Sequence, residues 1–191
     1  MYTLPYSLVL GSASPRRQQL LAGMGFDFQI RVKEVDETYP EHIALPEVAE
    51  YLAIKKAEAQ RKELKDELLI TADTMVALEG ELLGKPVDFA DAVSLLKKQS
   101  GKKQTVYTGI CLLTESEEVS FTVATDVYFR QLTDAEIRYY LDNYQPYDKA
   151  GSYGVQEWMG YVGVSRIDGS YTNVMGFPTS EVYEALGAFA L

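Results

Sequence analysis

The N-terminal part of the sequence contains a stretch suited to binding an anion. An apolar run from Leu8 to Leu10 is followed by the small residues Gly11 to Ser14 and then by Pro15, Arg16 and Arg17. A serine before a proline predicts a helix N-terminus, because serine can cap the first turn and proline needs no donor there. The unpaired N–H groups of that turn and the two guanidinium groups could bind phosphate oxygens. An ordinary capped helix with exposed arginines explains the same residues, so other parts of the sequence must distinguish the two.

Asp73 is the second residue whose position suggests chemistry. It directly follows the apolar run Leu68 to Ala72, which predicts a buried strand that ends at Asp73. Open α/β sheets usually bind ligands at the carboxyl ends of their strands, and a carboxylate there costs free energy unless a cation compensates it. Asp73 could therefore bind a metal ion or activate water. The alternative is a cap for the following turn.

Three further charged residues have two explanations each. Lys56 falls on the apolar stripe of a helix predicted from Pro46, although a lysine there can also cover apolar surface with its stem and reach water. Glu37 lies in an acidic stretch, and Lys85 precedes Pro86 on a rigid turn. Each of these residues could contact a ligand or simply be solvated, and its position in the sequence does not distinguish the two.

A glycine-containing loop offers side chains for a polar ligand. It runs from Asp148 to Gln156 and contains Gly151 and Gly154, which allow a ligand to approach the backbone closely. A purely structural loop is the competing interpretation. The glycine patterns of Walker-type and Rossmann proteins are both missing from the sequence, which disfavours ordinary kinases and dehydrogenases.

Composition narrows the classes of protein further. The chain has 191 residues, 47% of them hydrophobic, and a formal net charge of −10. Such a charge disfavours a broad nucleic-acid or membrane-binding surface, since both require a positive field. The single histidine, His42, and single cysteine, Cys111, disfavour histidine-pair catalysis and His- or Cys-rich metal sites, which leaves carboxylates for this chemistry. The sequence shows no signal-like or membrane-spanning apolar segment, so we expect a cytoplasmic protein.

Apolar periodicity predicts the elements that must position these residues. Strands are predicted at 8–10, 28–32 and 68–72, a hairpin at 76–83, longer strands at 105–113 and 119–129, and a last strand at 161–167. Helices are predicted after Pro15, Pro46, Asp88 and Thr133 and at the C-terminus. Helices and strands alternate at first and hairpins dominate the middle, which predicts an α/β fold with a mixed sheet.

Taken together, these motifs resemble the Maf family over nearly the whole chain. The resemblance is carried by Ser12-Ala13-Ser14-Pro15-Arg16-Arg17, Ala72-Asp73-Thr74, Gly84-Lys85-Pro86, Lys149 to Gln156, and Gly169-Ser170-Tyr171 with Val174 to Pro178. It implies a mixed twisted sheet flanked by helices, similar to that of inosine triphosphate pyrophosphatases, with two lobes around a cleft. It further implies a single domain spanning residues 1–191 and a homodimer.

The resemblance also implies an activity. Maf proteins are nucleoside triphosphate pyrophosphatases that cleave between the α and β phosphates with Mg²⁺ or Mn²⁺, a house-cleaning role in nucleotide metabolism. Arg16, Thr74 and Gln156 resemble the subgroup that acts on dTTP and UTP. Thymine and uracil share a carbonyl acceptor beside an N3–H donor, and the Gln156 amide offers the complementary donor and acceptor. A modified pyrimidine nucleotide would present the same groups.

The family likeness assigns roles residue by residue. Asp73 matches the proton acceptor, and the polar active-site set is matched by Ser12, Arg16, Arg17, Glu37, Lys56 and Lys85. We expect Glu37 and Asp73 to hold the divalent cation, while the basic residues offset the charge of the phosphates. The competing hypotheses are a non-catalytic nucleotide-binding regulator of septum formation and cell division, and a phosphatase that releases orthophosphate. Neither nucleic acid nor membrane is expected as a partner.

Overall fold

One mixed sheet of seven strands runs through the described part of the chain, residues 2–191 of this computed structural model. The strands are β1 (Ser7–Leu10), β2 (Gln29–Ile30), β3 (Glu67–Leu78), β4 (Glu81–Leu83), β5 (Lys103–Leu113), β6 (Glu118–Phe129) and β7 (Val164–Asp168). Their order across the sheet is β2, β1, β3, β5, β6 and β7, and β4 pairs with β3 off this path. Strand β1 is parallel to β2 and β3, whereas β4 is antiparallel to β3 and β7 to β6. The predicted α/β fold with a mixed sheet is confirmed.

Helices connect the strands and begin close to the predicted capping residues. They are α1 (Pro15–Gly23), α2 (Leu45–Glu58), α3 (Phe89–Gln99), α4 (Asp134–Tyr144), α5 (Trp158–Val162), α6 (Tyr171–Val174) and α7 (Thr179–Leu186). The Asp88 carboxylate accepts the Asp91 N–H at the start of α3, and Thr133 forms a capping box with Glu136 at the start of α4. Between residues 2 and 191, no helix is long and apolar enough to cross a membrane.

The chain divides into two compact units, each with its own apolar core. The first unit comprises the chain up to Thr74 together with Thr108–Val123 and Gly176–Leu191, and the second comprises Met75–Tyr107 and Ala124–Met175. The core of the first unit includes the fully buried residues Leu10, Ile70, Ile110 and Phe177. The core of the second unit includes the fully buried residues Leu96, Val127 and Tyr140. Burial of such side chains is the main stabilising contribution within each unit.

Strand β3 does not end at Asp73, so this prediction was wrong. The strand continues to Leu78, because its first part pairs with β1 and its last part, from Val76 onward, pairs with β4. The chain reverses only at Glu79 and Gly80, whose φ angles of 52° and 87° are those of a type I′ hairpin turn. Burial is continuous from Leu68 to Asp73 and becomes discontinuous from Thr74 onward, so the end of the apolar run does not mark the end of the strand.

Two other predicted strands differ in extent. The strand predicted at 28–32 is reduced to Gln29–Ile30, an edge strand paired only through β1 among the described residues. The strand predicted at 161–167 begins at Val164, because residues 158–162 form the short helix α5. Propensity and alternation therefore located these elements but did not fix their ends.

Helix α2 packs unusually close to the sheet of the first unit. A Cβ atom placed on Gly109 of β5 would lie 2.1 Å from the backbone nitrogen of Glu50, so only glycine permits this approach. The Glu50 carboxylate in turn accepts hydrogen bonds from Ser120 Oγ at 2.7 Å and Thr122 Oγ1 at 3.0 Å. These contacts fix the position of α2 and of the side chains that it carries, including Lys56.

The start of α4 provides a test of stability in acid. Hydrogen bonds from Arg130, and then from Thr133, lower the pKa of Glu136 from 4.5 to about 2. Because the folded value lies below the unfolded value, the carboxylate stabilises the fold above pH 4.5, and this contribution is lost as the pH falls towards 2. We expect Glu136→Gln to lower the free energy of unfolding at neutral pH by about 1 kcal/mol, a value discounted for the partly exposed carboxylate.

Urea denaturation of the wild type and of Glu136→Gln, at neutral pH and again near pH 3, measures this contribution. The variant should lose less stability on acidification than the wild type, because it lacks the carboxylate that titrates. Glu115→Gln changes an exposed carboxylate and serves as the matched control. An acid-induced loss in Glu136→Gln equal to that of the wild type would contradict this account.

Candidate active site

Helix α1 begins at the turn of residues 11–14 that follows β1, which we call the cradle turn. Ser14 has the extended backbone of an N-cap residue, and Pro15 occupies the first helical position, as predicted. Among residues 2–191, however, no capping hydrogen bond involves the Ser14 side chain, and the Ser14 N–H instead donates to Ser12 Oγ at 3.3 Å. Ser12 is buried, so its hydroxyl organises the turn from inside.

The Arg17 side chain is held by four hydrogen bonds to the protein. Its Nε donates to the carbonyl oxygen of Gly176 at 2.9 Å. One terminal nitrogen donates to Ser12 Oγ at 3.2 Å and to the carbonyl oxygen of Ala72 at 2.8 Å. The other terminal nitrogen donates to Thr74 Oγ1 at 3.0 Å. The guanidinium group therefore connects helix α1 to the cradle turn, to β3 and to the segment before α7.

The arginines of α1 and the acidic residues of the first unit interact electrostatically. Burial is the largest cause of a lowered pKa of Arg17, and the nearby Arg16 guanidinium lowers it further. The carboxylates of Asp73 and Glu37 oppose this shift, Asp73 more strongly. Arginine remains charged at neutral pH even so. Positive charge at the start of α1 is therefore set against carboxylates within a single unit, an arrangement that suits an anionic ligand accompanied by a cation.

The Lys56 ammonium group lies between two carboxylates. Its Nζ is 2.5 Å from Asp73 Oδ1 and 2.8 Å from Glu37 Oε1. The Lys56 and Asp73 side chains are 16% and 11% exposed, whereas the Glu37 side chain is 56% exposed. A charge this far from water is tolerated only when it is paired. The sequence leaves open whether Lys56 reaches water or has a function, and in the structure its ammonium is engaged by Asp73 and Glu37.

Thr74, which follows Asp73, is oriented by hydroxyl contacts. Its Oγ1 accepts the hydrogen bond from Arg17 and lies 3.0 Å from Thr108 Oγ1 on β5. Thr108 is fully buried. No sequence signal marks Thr108, because a threonine in a long strand is common, and no signal marks the Gly176 carbonyl, because every residue has one. Only the tertiary structure brings these groups to Arg17 and Thr74.

Lys85 and Gln156 belong to the second unit. Lys85 follows β4 and is exposed, whereas Gln156 is half-buried and follows the 3-10 segment Ala150–Ser152. Gly151 and Ser152 adopt φ angles of 69° and 62°, so two consecutive residues of this loop are left-handed. Such a conformation in a non-glycine residue costs free energy, and it recurs at binding sites.

A polar network supports the loop before Gln156. The Tyr140 hydroxyl donates to the Glu157 carboxylate and accepts the Gly154 N–H at 3.0 Å, and Lys149 Nζ lies 3.1 Å from Glu157 Oε1. Burial is the main cause of a raised pKa of Tyr140, so the phenol stays protonated and can donate. In the sequence Tyr140 belongs to an apolar helical stripe, which conceals this role. Glu157 gives no sequence signal beyond its place after the loop.

Glu37 and Asp73 are the carboxylates that could hold a divalent cation. Both contact the same ammonium group, so their oxygens are directed at one point that a positive charge already occupies. Carboxylate oxygens are the ligands that Mg²⁺ and Mn²⁺ prefer. Within residues 2–191, no group of three or more histidine, cysteine, aspartate or glutamate side chains is arranged to bind a metal. Two carboxylates therefore fit a cation that takes its remaining ligands from phosphate oxygens and water.

The fold and these residues define an α/β protein that sets cationic side chains and a helix N-terminus against paired carboxylates. Residues 7–189 match the protein family described as "Maf-like protein". Because this match covers nearly the whole sequence, the chain belongs to the Maf family, and the predicted resemblance is confirmed.

Several relatives share a name that states an activity. A dTTP/UTP pyrophosphatase of Bacteroides thetaiotaomicron is 50% identical over 183 residues, which cover 95% of this chain and 95% of that protein. A dTTP/UTP pyrophosphatase of Parabacteroides distasonis is 47% identical over 186 residues, covering 96% of each chain. A protein of the same name from Flavobacterium johnsoniae is 45% identical over 182 residues, covering 95% of this chain and 94% of that protein.

Proposed function

We propose that this protein is a nucleoside triphosphate pyrophosphatase that hydrolyses dTTP and UTP to the monophosphate and pyrophosphate. The observation that carries the proposal is the meeting of Asp73, Glu37 and Lys56, in the same unit as the cradle turn and Arg16. The names of the relatives support this choice of substrate over the regulator and phosphatase alternatives. A nucleotide-binding regulator would need the cationic groups but has no evident need for a buried carboxylate beside them.

In this proposal the first role of the protein is to bind the triphosphate. Ser12 and the N-terminus of α1 contribute hydrogen-bond donors, and Arg16 contributes a guanidinium that can bind two phosphate oxygens at once. Lys56 and Lys85 add positive charge that offsets the phosphates. Because charge on the transferred group changes during hydrolysis, donors and cations held in place in advance stabilise the transition state most effectively.

Asp73 is proposed as the group that accepts a proton from the attacking water. The water oxygen forms a bond to the α phosphorus, its proton passes to a carboxylate oxygen of Asp73, and the α–β anhydride bond breaks to release pyrophosphate. Glu37 and Asp73 together would hold one divalent cation, Mg²⁺ or Mn²⁺. When bound, such a cation neutralises phosphate charge and lowers the pKa of a coordinated water.

Base recognition is proposed for Gln156, with contributions from Arg16 and Thr74. The Gln156 amide can donate to a pyrimidine carbonyl and accept the N3–H beside it. This pairing is the same for thymine and uracil, and neither group involves the 5 position of the ring. The site would therefore accept both bases, including pyrimidines modified at that position, which suits an enzyme that removes unwanted nucleotides from the pool.

The remaining parts of the proposal concern the molecule as a whole. We propose that residues 1–191 act as one functional domain and that the active form is a homodimer. Its substrates are dissolved nucleoside triphosphates, and we expect the enzyme to act on the cytoplasmic pool.

Product analysis tests the proposed function. The purified protein is incubated with dTTP, UTP, dCTP, dATP and GTP, with Mg²⁺, Mn²⁺ or EDTA, and the products are separated by ion-exchange chromatography. We expect monophosphate and pyrophosphate in equal amounts, fastest from dTTP and UTP and lost in EDTA. Orthophosphate as the product would favour the phosphatase, and tight binding without turnover would favour the regulator.

A further inference from the structure

The four hydrogen bonds of Arg17 are directed at the segments that surround Asp73. Two of the acceptors, the Ala72 carbonyl and Thr74 Oγ1, belong to the residues immediately before and after Asp73 in β3. The other two are Ser12 Oγ in the cradle turn and the Gly176 carbonyl. We call this guanidinium group and its four acceptors the Arg17 clamp. It joins the residue pair that flanks Asp73 to the turn that begins α1.

The geometry of a guanidinium group suits this task. Its five N–H bonds lie in one plane and point in fixed directions, and four of them are used here. Gly176 has a φ of +100°, and a Cβ atom there would lie 3.2 Å from Thr74 Oγ1 and 3.8 Å from Arg17 Nε. Glycine therefore lets the backbone at 176 approach the clamp closely enough for its carbonyl to accept.

Four of the five guanidinium N–H groups of Arg17 already donate to the protein, so gripping a phosphate with two of them would require at least one of these bonds to be given up. The Ala72 residue is 1% exposed, so water could not replace the lost donor at its carbonyl oxygen. An unpaired buried acceptor costs free energy, which makes the protein a better partner for this guanidinium than a ligand that comes and goes. Arg16, the preceding residue on α1, projects in a different direction on the helix.

We propose that Arg17 is a positioning residue that holds the backbone of β3 at Asp73 in register with the cradle turn, and not a ligand of the phosphates. This inference rests on the proposed function, because it concerns the residue assigned to accept the proton. It changes the role of Arg17 from the one that the family resemblance implies. Its consequence is that the shape of the Arg17 side chain matters for turnover, and its charge alone does not suffice.

Arg17→Lys separates the two roles, because lysine keeps the charge but cannot direct N–H groups to four acceptors. We expect kcat for dTTP to fall about 100-fold, as when a catalytic group is displaced by about 1 Å, while KM stays within about threefold of the wild-type value. The mirror result, a KM raised more than tenfold with kcat little changed, would show that Arg17 binds phosphate and would overturn the proposal. Arg138→Lys changes an exposed arginine of α4 and is the matched control.

A second variant guards against poor folding of Arg17→Lys. Thr74→Val removes one acceptor of the clamp while keeping the shape of the side chain. We expect it to lower kcat less than Arg17→Lys does, and to add little when combined with it, because both changes act on the same clamp. Fully additive losses in kcat would contradict a shared clamp.

A binding measurement distinguishes failure of this inference from failure of the proposed function. It uses a non-hydrolysable dUTP analogue that has an imido group between the α and β phosphates. The wild-type product assay tests the function alone. Isothermal titration of the analogue into Arg17→Lys tests the clamp without turnover, and we expect a Kd within about threefold of the wild-type value, since the clamp makes no phosphate contact. A Kd raised more than tenfold in a variant with an unchanged Tm would overturn the inference, whatever the product assay shows.

Discussion

An Asp73→Asn variant should fold like the wild type and lose almost all turnover. Asparagine has nearly the same shape as aspartate, and its amide oxygen can still accept the hydrogen bond that Lys56 Nζ makes to Asp73 Oδ1. Lys56 also retains Glu37 as a charged partner, so the substitution does not leave a lone buried ammonium. An amide cannot take up a proton at neutral pH and binds a divalent cation more weakly than a carboxylate does. We therefore expect kcat to fall about 10³-fold, the usual contribution of a general base.

Pyrophosphate release from dTTP, measured with a coupled assay at saturating substrate and Mg²⁺, gives kcat for the variant. Thermal unfolding in parallel reports whether the fold is retained. Asp27→Asn, an exposed aspartate of the same unit, is the matched control and should keep wild-type kcat. Asp73 would have to be removed from the mechanism if the variant turned over dTTP within tenfold of the wild-type rate.

Strand β3 was predicted to end at Asp73 but continues to Leu78, and this difference shows which features of the fold local sequence determines. The apolar run before Asp73 correctly indicates a buried strand, because continuous apolar residues reflect burial on both faces. The end of the strand depends on pairing with β4, a partner that lies beyond a hairpin and makes no mark on residue 73. A carboxylate beside apolar residues was enough to propose a chemical role for Asp73, whereas its place in the middle of β3 could not be predicted.

For Lys56 and Arg17 as well, the sequence shows the position of the residue but not its contacts. The position of Lys56 on an apolar stripe is visible in the sequence, but its pairing with Asp73 depends on how closely α2 approaches β5 at Gly109. Arg17 is visible as a cation at a helix start, and nothing local separates it from Arg16. Its bond to the Gly176 carbonyl joins residues 159 positions apart, so only the folded chain shows which groups accept hydrogen bonds from Arg17.

The caps of α3 and α4, Asp88 and Thr133, were predicted accurately because they depend only on local sequence, whereas the Ser14 side chain makes no capping hydrogen bond within the described part of the chain. Thr133 and Glu136 are three residues apart, and each satisfies a backbone N–H group of the other's turn. Such interactions are complete within one helical turn, so they need no information from elsewhere in the chain. The site differs because its residues come from separate segments, and their types predict chemistry before their contacts can be known.

The second large effect is expected for Arg16→Ala, in substrate binding. Arg16 lies in the first turn of α1, and we propose that the helix N-terminus and Ser12 offer further donors to the anion that it binds. In the proposed function its guanidinium makes charge-assisted hydrogen bonds to phosphate, each worth about 1.5–3 kcal/mol, so we expect its removal to raise KM for dTTP about 10- to 100-fold. Because the contacts of Lys56 with Asp73 and of Arg17 with Ala72 and Thr74 do not involve Arg16, we expect kcat to fall far less than KM rises.

Steady-state kinetics with dTTP, with and without dTMP as a product inhibitor, measure the effects on KM and on kcat separately. Thermal unfolding reports the stability of the variant. Arg138→Ala removes an exposed arginine elsewhere and should leave both parameters unchanged. Intact activity together with a lowered Tm would mean that Arg16 only supports helix α1, as the ordinary capped-helix explanation holds. If Arg16 binds the substrate and Arg17 holds the residue that acts on it, the two variants should differ in kinetics. We expect Arg16→Ala mainly to raise KM and Arg17→Lys mainly to lower kcat.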